Sequence, residues 1–205
     1  MTQIPTIRIK DAWLLRSNAS VHLNELWGEG VPMKSGEEYA EIVENYKKAW
    51  QPYEQKILRG MSDVFGLTFR QPEIDVYIAP WFYAFSDPMV VGVMYPPDRF
   101  VDILTHELLH RLITDNTTYA DSKKLITIWK ELFGFDHSQN TLVHIPVHAG
   151  LKAVFLDVLN EPERLERDIE NCKKWDNYRK TWEYVEATGY KEIIEKLKAN
   201  YEKAK

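Results

Sequence analysis

His106-Glu107-Leu108-Leu109-His110 puts two imidazoles and a carboxylate on a short stretch of chain. On an α-helix, residues four apart project from the same side, about 40° apart around the axis, so both rings can reach one metal ion. Glu107 falls between them, placed to touch a metal-bound water rather than the ion. Zinc with an open coordination position lowers the pKa of that water to about 7, and a neighbouring carboxylate can take its proton as it attacks a carbonyl. Ile103, Leu104, Leu108, Leu109, Leu112 and Ile113 surround the trio, so the helix is apolar on most sides and is expected in a core. Merely solvated histidines would not need that setting.

Such a site needs a third protein ligand, and His144 and His148 offer a second pair at helical spacing. Four of the six histidines thus lie in two i, i+4 pairs. Val147, Leu151, Val154, Phe155 and Val158 recur at helical intervals, with Ser138 or Asn140 available as N-cap. Pro146 allows either a helix start near residue 145 or a local kink. Taken alone, this pair reads as core histidines bonded to backbone carbonyls. The upstream motif shifts the reading to one metal ligand. Asp157 and Glu161 follow at the far end of the helix and read as solvated or capping groups.

A strand, a helix bearing H-E-x-x-H and a later helix bearing a third ligand resemble the zincin-like metallopeptidases, especially the compact gluzincin type. The resemblance covers about residues 74–160 and is specific at His106, Glu107 and His110. Gluzincins carry E-x-x-x-D where this chain has His144-x-x-x-His148. The resemblance therefore implies one of these two histidines as zinc ligand and the other as an orienting group or transition-state stabiliser. Small residues Ala149 and Gly150 would let that helix approach closely. Arg111 departs from the family pattern, which usually has an uncharged residue there. In zincins the strand before the motif helix often forms a sheet edge that pairs with extended substrate. Val90, Val91, Gly92, Val93 and Met94 are the corresponding candidates for peptide binding, with an ordinary buried strand as the alternative.

Composition bounds the other possibilities. With 205 residues, 44% hydrophobic and 28% charged, the chain is long enough for a substantial core, and a net charge of −5 argues against a nucleic-acid partner. The single cysteine, Cys172, precludes an internal disulfide, and its charged, exposed-looking helix far from the histidines makes a thiol nucleophile a weak candidate. Met1–Pro5 lacks a signal-like beginning and no wholly apolar run reaches membrane-span length, so a cytoplasmic protein without a membrane partner is expected.

One domain is expected over 1–205: a leader (1–34) with a short strand at Thr6–Ile9, a core (35–160) and a helical extension (161–205). Ser35-Gly36-Glu37-Glu38 is a capping box opening an amphipathic helix that Pro52 interrupts and Gly66 ends. Strands are expected at Ile74–Ile78 and Met89–Met94. Asp98 is the expected cap of the motif helix, and further helices are predicted at Thr118–Leu132, from Pro162 to about Ala187, and at Tyr190–Lys203. Trp175, Tyr178, Trp182 and Tyr184 read as a packing face rather than a sugar- or base-stacking platform.

The expected class is α+β, zincin-like, predominantly helical around a small mixed sheet. It would bind one Zn2+ per chain, with Glu107 as general base in peptide-bond hydrolysis and a small amide as the secondary substrate class. Tyr95, Tyr119 and His137 are further candidates for stabilising the oxyanion. The rival is a catalytically degenerate zincin whose four histidines close the metal site, leaving a metal-stabilised binding or regulatory module. The partner in the first case is a peptide or protein substrate. The sequence does not fix the oligomeric state.

Overall fold

The computed structural model describes residues 4–18, 34–80, 83–116 and 122–203. The fold is α+β, mostly helical with a four-stranded mixed sheet. The chain divides into two compact units. One comprises Pro5–Glu54 and Gln71–Glu107, and the other Met1–Ile4, Gln55–Arg70 and Leu108–Lys205. Residues 161–205 lie within the second of these units.

In the sheet-bearing unit, β1 (Thr6–Asp11) runs parallel to β2 (Glu73–Ala79), which runs parallel to β4 (Met89–Gly92). A short β3 (Ala84–Ser86), unforeseen in the sequence, pairs antiparallel with β4 and gives the order β1-β2-β4-β3. The expected substrate-pairing edge at Val90–Met94 is therefore corrected. Val90 and Val91 have β2 on one side and β3 on the other, Gly92 bonds Tyr83, and Val93 bonds Ala79. Met94 lies beyond the strand and is exposed. Among the described residues, β3 is the outer strand on that side. Its three residues were hidden between Pro80 and Pro88, where the sequence reads as loop.

Helix α1 (Gly36–Trp50) begins at the expected capping box: the Glu38 N–H donates to Ser35 Oγ at 3.2 Å, while the Glu38 carboxylate accepts from the Ser35 N–H. It buries Tyr39, Val43, Tyr46 and Trp50. Tyr46 stacks on Phe100 at 4.0 Å, and its hydroxyl lies 2.7 Å from the Tyr95 carbonyl and 3.2 Å from that of Gly92. One phenol thus ties the end of β4 to the first turn of α3 (Pro97–Asp115), the motif helix. Pro97 occupies the first helical position, and the Phe100 N–H donates to the Pro96 carbonyl. Asp98 sits inside the first turn rather than at the expected cap.

The helical unit contains α2 (Glu54–Phe65), the end of α3, α4 (Ser122–Phe133) and α5 (Gln139–Ala153). A π-helical segment (Val154–Leu159) follows, then α6 (Pro162–Cys172), α7 (Asp176–Thr188) and α8 (Tyr190–Lys203). Helix α5 is its centre, packed against α4, α7 and α8 and buried nearly all round. Together with the π segment it forms a 21-residue run, Gln139–Leu159, within which an 18-residue window has a mean hydropathy of 1.5. That window is long and apolar enough to cross a membrane by length and composition, but it is interrupted by His144, His148, Lys152 and Asp157, and 72% of it is buried within the fold. Its apolar surface is spent on packing. The predicted Pro162–Ala187 helix is two helices, because the chain turns at 173–175.

Candidate metal centre

Helix α3 is one unbroken helix, so His106 and His110 stand one turn apart on it. Partial exposure recurs at Ile103, His106 and His110, spaced three and four apart, whereas Leu104, Thr105, Glu107, Leu108 and Leu109 are buried. The histidines therefore mark the one accessible stripe of this stretch. Thr105 Oγ1 donates to the Val101 carbonyl at 2.7 Å, and Asn116 Nδ2 reaches the Leu112 and Thr68 carbonyls, holding both ends of the motif turn's surroundings. Arg111, the departure from the family pattern, forms an ion pair with Asp115 at 3.4 Å.

Helix α5 carries the second pair. Ser138 caps it, accepting from the Thr141 N–H at 3.1 Å, so Pro146 lies mid-helix and the alternative start near residue 145 is not adopted. Pro146, midway in sequence between the two histidines, has no N–H to donate to the Leu142 carbonyl four residues before it.

One nitrogen each from His106, His110 and His144 lies within 4.8 Å of the others. Three nitrogens around one tetrahedral zinc stand about 3.4 Å apart, so small ring rotations close this set onto an ion. The His144 Nδ1–H donates to the Asn140 carbonyl at 2.7 Å, which fixes the ring and leaves Nε2 as the nitrogen with a lone pair for a metal. Burial and the neighbouring His144 push His110 down to about 3, and burial also lowers His144. Both are thus neutral imidazoles, the form that binds metals. The donor set fits zinc.

Glu107 is not among the converging ligand atoms, and burial pushes its carboxyl up to about 8. Tyr95 lies near enough for the Glu107 charge to add to the burial that raises its own pKa. Of the aromatic packing face anticipated at Trp175, Tyr178, Trp182 and Tyr184, Trp175 is instead exposed at the start of α7, Tyr184 packs on Phe133 and His137, and the other two lie against the α5 histidines. Tyr178 lies 4.5 Å from the His144 ring, and Trp182 stacks on His148 at 4.5 Å. Tyr178 is the residue near the site that sequence reasoning assigned only to packing. Its i, i+4 spacing to Trp182 was the available signal.

The remaining candidates do not join the three converging nitrogens, although the His148 ring lies 5.7 Å from that of His144. His148 is fully buried, and its ring nitrogen groups with Asp168 and Cys172 instead of with the other three histidines. His137 packs edge-on against Tyr184 at 5.1 Å, and Tyr119 lies outside the described residues. Asp157 accepts from the Tyr190 hydroxyl at 3.0 Å, and Glu161 pairs with Arg164 at 2.5 Å. Cys172 is half-buried beside Asp168, not on the exposed, isolated face expected of it. Comparisons with known protein families, curated proteins and solved structures find no match to this chain.

Proposed function

We propose that this chain is a zinc metallopeptidase of zincin-like architecture, with His106, His110 and His144 as the protein ligands and Glu107 as general base. The observation that carries the reading is the convergence of these three imidazoles beside a buried glutamate on the same helix as two of them. The strand β4, helix α3 and later helix α5 occur in the order the zincin resemblance requires. Of the two α5 histidines, His144 is favoured because it joins the cluster and has an orienting carbonyl behind it.

Zinc, when bound there, supplies Lewis acidity toward a carbonyl and toward water. The chain's own residues do the rest. Nearby positive charge favours the Glu107 carboxylate, which accepts a proton from the attacking water and returns it to the departing amine. The buried position of Glu107 keeps that proton from exchanging freely with bulk solvent. Tyr95 and Tyr178 are phenols with a case for donating to the oxyanion, Tyr95 through its coupling to Glu107 and Tyr178 through its contact with His144. Three protein ligands rather than four favour catalysis over a closed structural site.

The test is metal analysis and peptide hydrolysis on the same preparations. Wild-type protein should cleave an unfolded protein substrate only when zinc-loaded, and Glu107→Gln should keep the metal while losing cleavage. Zinc retention with undiminished cleavage in that variant overturns the assigned role. Zinc binding without cleavage in the wild type supports the regulatory module instead.

A further inference from the structure

We infer a second cation site in the helical unit, built from His148, Asp168 and Cys172 and matched to a zinc-class ion. Asp168 and Cys172 are one turn apart on α6, and His148 faces them from α5. A ring nitrogen, a carboxylate oxygen and the thiol sulfur all lie within 4.8 Å of one another. This set shares no residue with His106, His110 and His144, so it stands whether or not the chain is a peptidase.

Donor chemistry selects the ion. Magnesium and calcium take oxygen ligands and high coordination numbers, whereas one nitrogen, one oxygen and one sulfur suit zinc and its surrogate cobalt(II). Charge gives the same answer. His148 and Asp168 are buried, and the Cys172 thiol donates to Asp168 Oδ2 at 3.5 Å. On binding, the S–H bond breaks, its proton leaves to solvent and the sulfur electron pair goes to the cation. A carboxylate, a thiolate and a dication then sum to zero, the arrangement a weakly polar interior tolerates. Arg164, one turn before Asp168 and also buried, bonds Glu161 through Nε at 2.5 Å.

A nucleophilic cysteine would be arranged differently, with imidazole on the sulfur and the carboxylate behind the imidazole. Here the carboxylate sits on the thiol itself. Trp182 lies nearly parallel over His148, 24° between planes, and holds the ring while covering it from water. Half-buried Cys172 leaves an approach for the ion.

The probe is cobalt(II), titrated into metal-free full-length protein and followed by absorption. A thiolate-to-cobalt charge-transfer band in the near ultraviolet is expected in the wild type, lost in Cys172→Ser and retained in His110→Ala. Zinc should bleach it and should slow alkylation of the wild-type thiol at least tenfold. Those wild-type measurements decide the matter even if Cys172→Ser fails to fold. No band together with zinc-independent alkylation overturns the site, and so does a band that disappears in His110→Ala.

Discussion

At the residue scale, burial favours the proton-bearing form of Glu107 and the neutral imidazole of His144, and each yields a distinct expectation. General-base loss costs typically 10²–10⁴-fold. Glu107→Gln should therefore lower kcat by at least about 10²-fold without changing zinc content, as read by metal analysis beside peptide cleavage. His144→Ala should lose zinc from the His106/His110 site, whereas His148→Ala should keep it, because only His144 joins that cluster. Zinc kept at the His106/His110 site in His144→Ala and lost from that site in His148→Ala, both read in a Cys172→Ser background that removes the thiolate ligand of the other group, would reverse the ligand assignment. The H-E-x-x-H residues were legible because four-residue spacing fixes geometry on any helix. The choice between His144 and His148 was not, because both project from one side of α5. What separates them is the Asn140 carbonyl behind one and Asp168 and Cys172 beside the other.

At the scale of elements, close approaches and caps set how firmly the helices hold these rings. A Cβ added at Gly60 would stand 2.5 Å from Val158 Cγ1 and 2.8 Å from Cγ2. Valine is stiff at χ1, so relief needs backbone movement, and Gly60→Ala should destabilise by about 1–3 kcal/mol despite the better helix propensity of alanine. Denaturant melts should show much of that loss recovered in Gly60→Ala with Val158→Ala, a coupling expected of direct neighbours. Ser138→Ala removes the α5 cap and a 2.8 Å bond to Asn177 Oδ1, and should cost about 1 kcal/mol in the same melts. Sequence periodicity and punctuation anticipated α1, α2, α8 and the paired strands, since Ser35, Pro52, Gly66 and Gly189 act through local backbone geometry. The positive φ of 64° at Gly66 and 88° at Gly189 is the physical form of those stops. The π segment and the turn at 173–175 escaped, because neither carries a glycine or proline and both depend on what packs against them. β3 escaped for a similar reason: three residues have no period to read.

At the scale of the whole molecule, buried ionisable groups make stability depend on pH from two directions. His110 is held near 3 and His144 and His148 are lowered, so their neutral forms belong to the folded state. Their contribution is complete above the unfolded value of about 6.5 and is lost as pH falls below it, because the unfolded chain takes up the protons first. Glu107 has the opposite sign. Raised to about 8 in the folded state, its contribution is complete below the unfolded value of about 4.5 and is lost as pH rises toward 8. Metal-free Glu107→Gln should therefore gain on the wild type between those pH values and plateau above about 8, in melts run with chelator. A constant difference across that range would show that Glu107 is not held neutral. The parallel pairing of β1 with β2 joins Thr6 to Glu73, so the first strand waits for chain that is made much later. At about 5–20 residues per second on a ribosome, Ile7 and Ile9 face water or a chaperone for several seconds before their partner strand emerges, and the sheet cannot close cotranslationally before then.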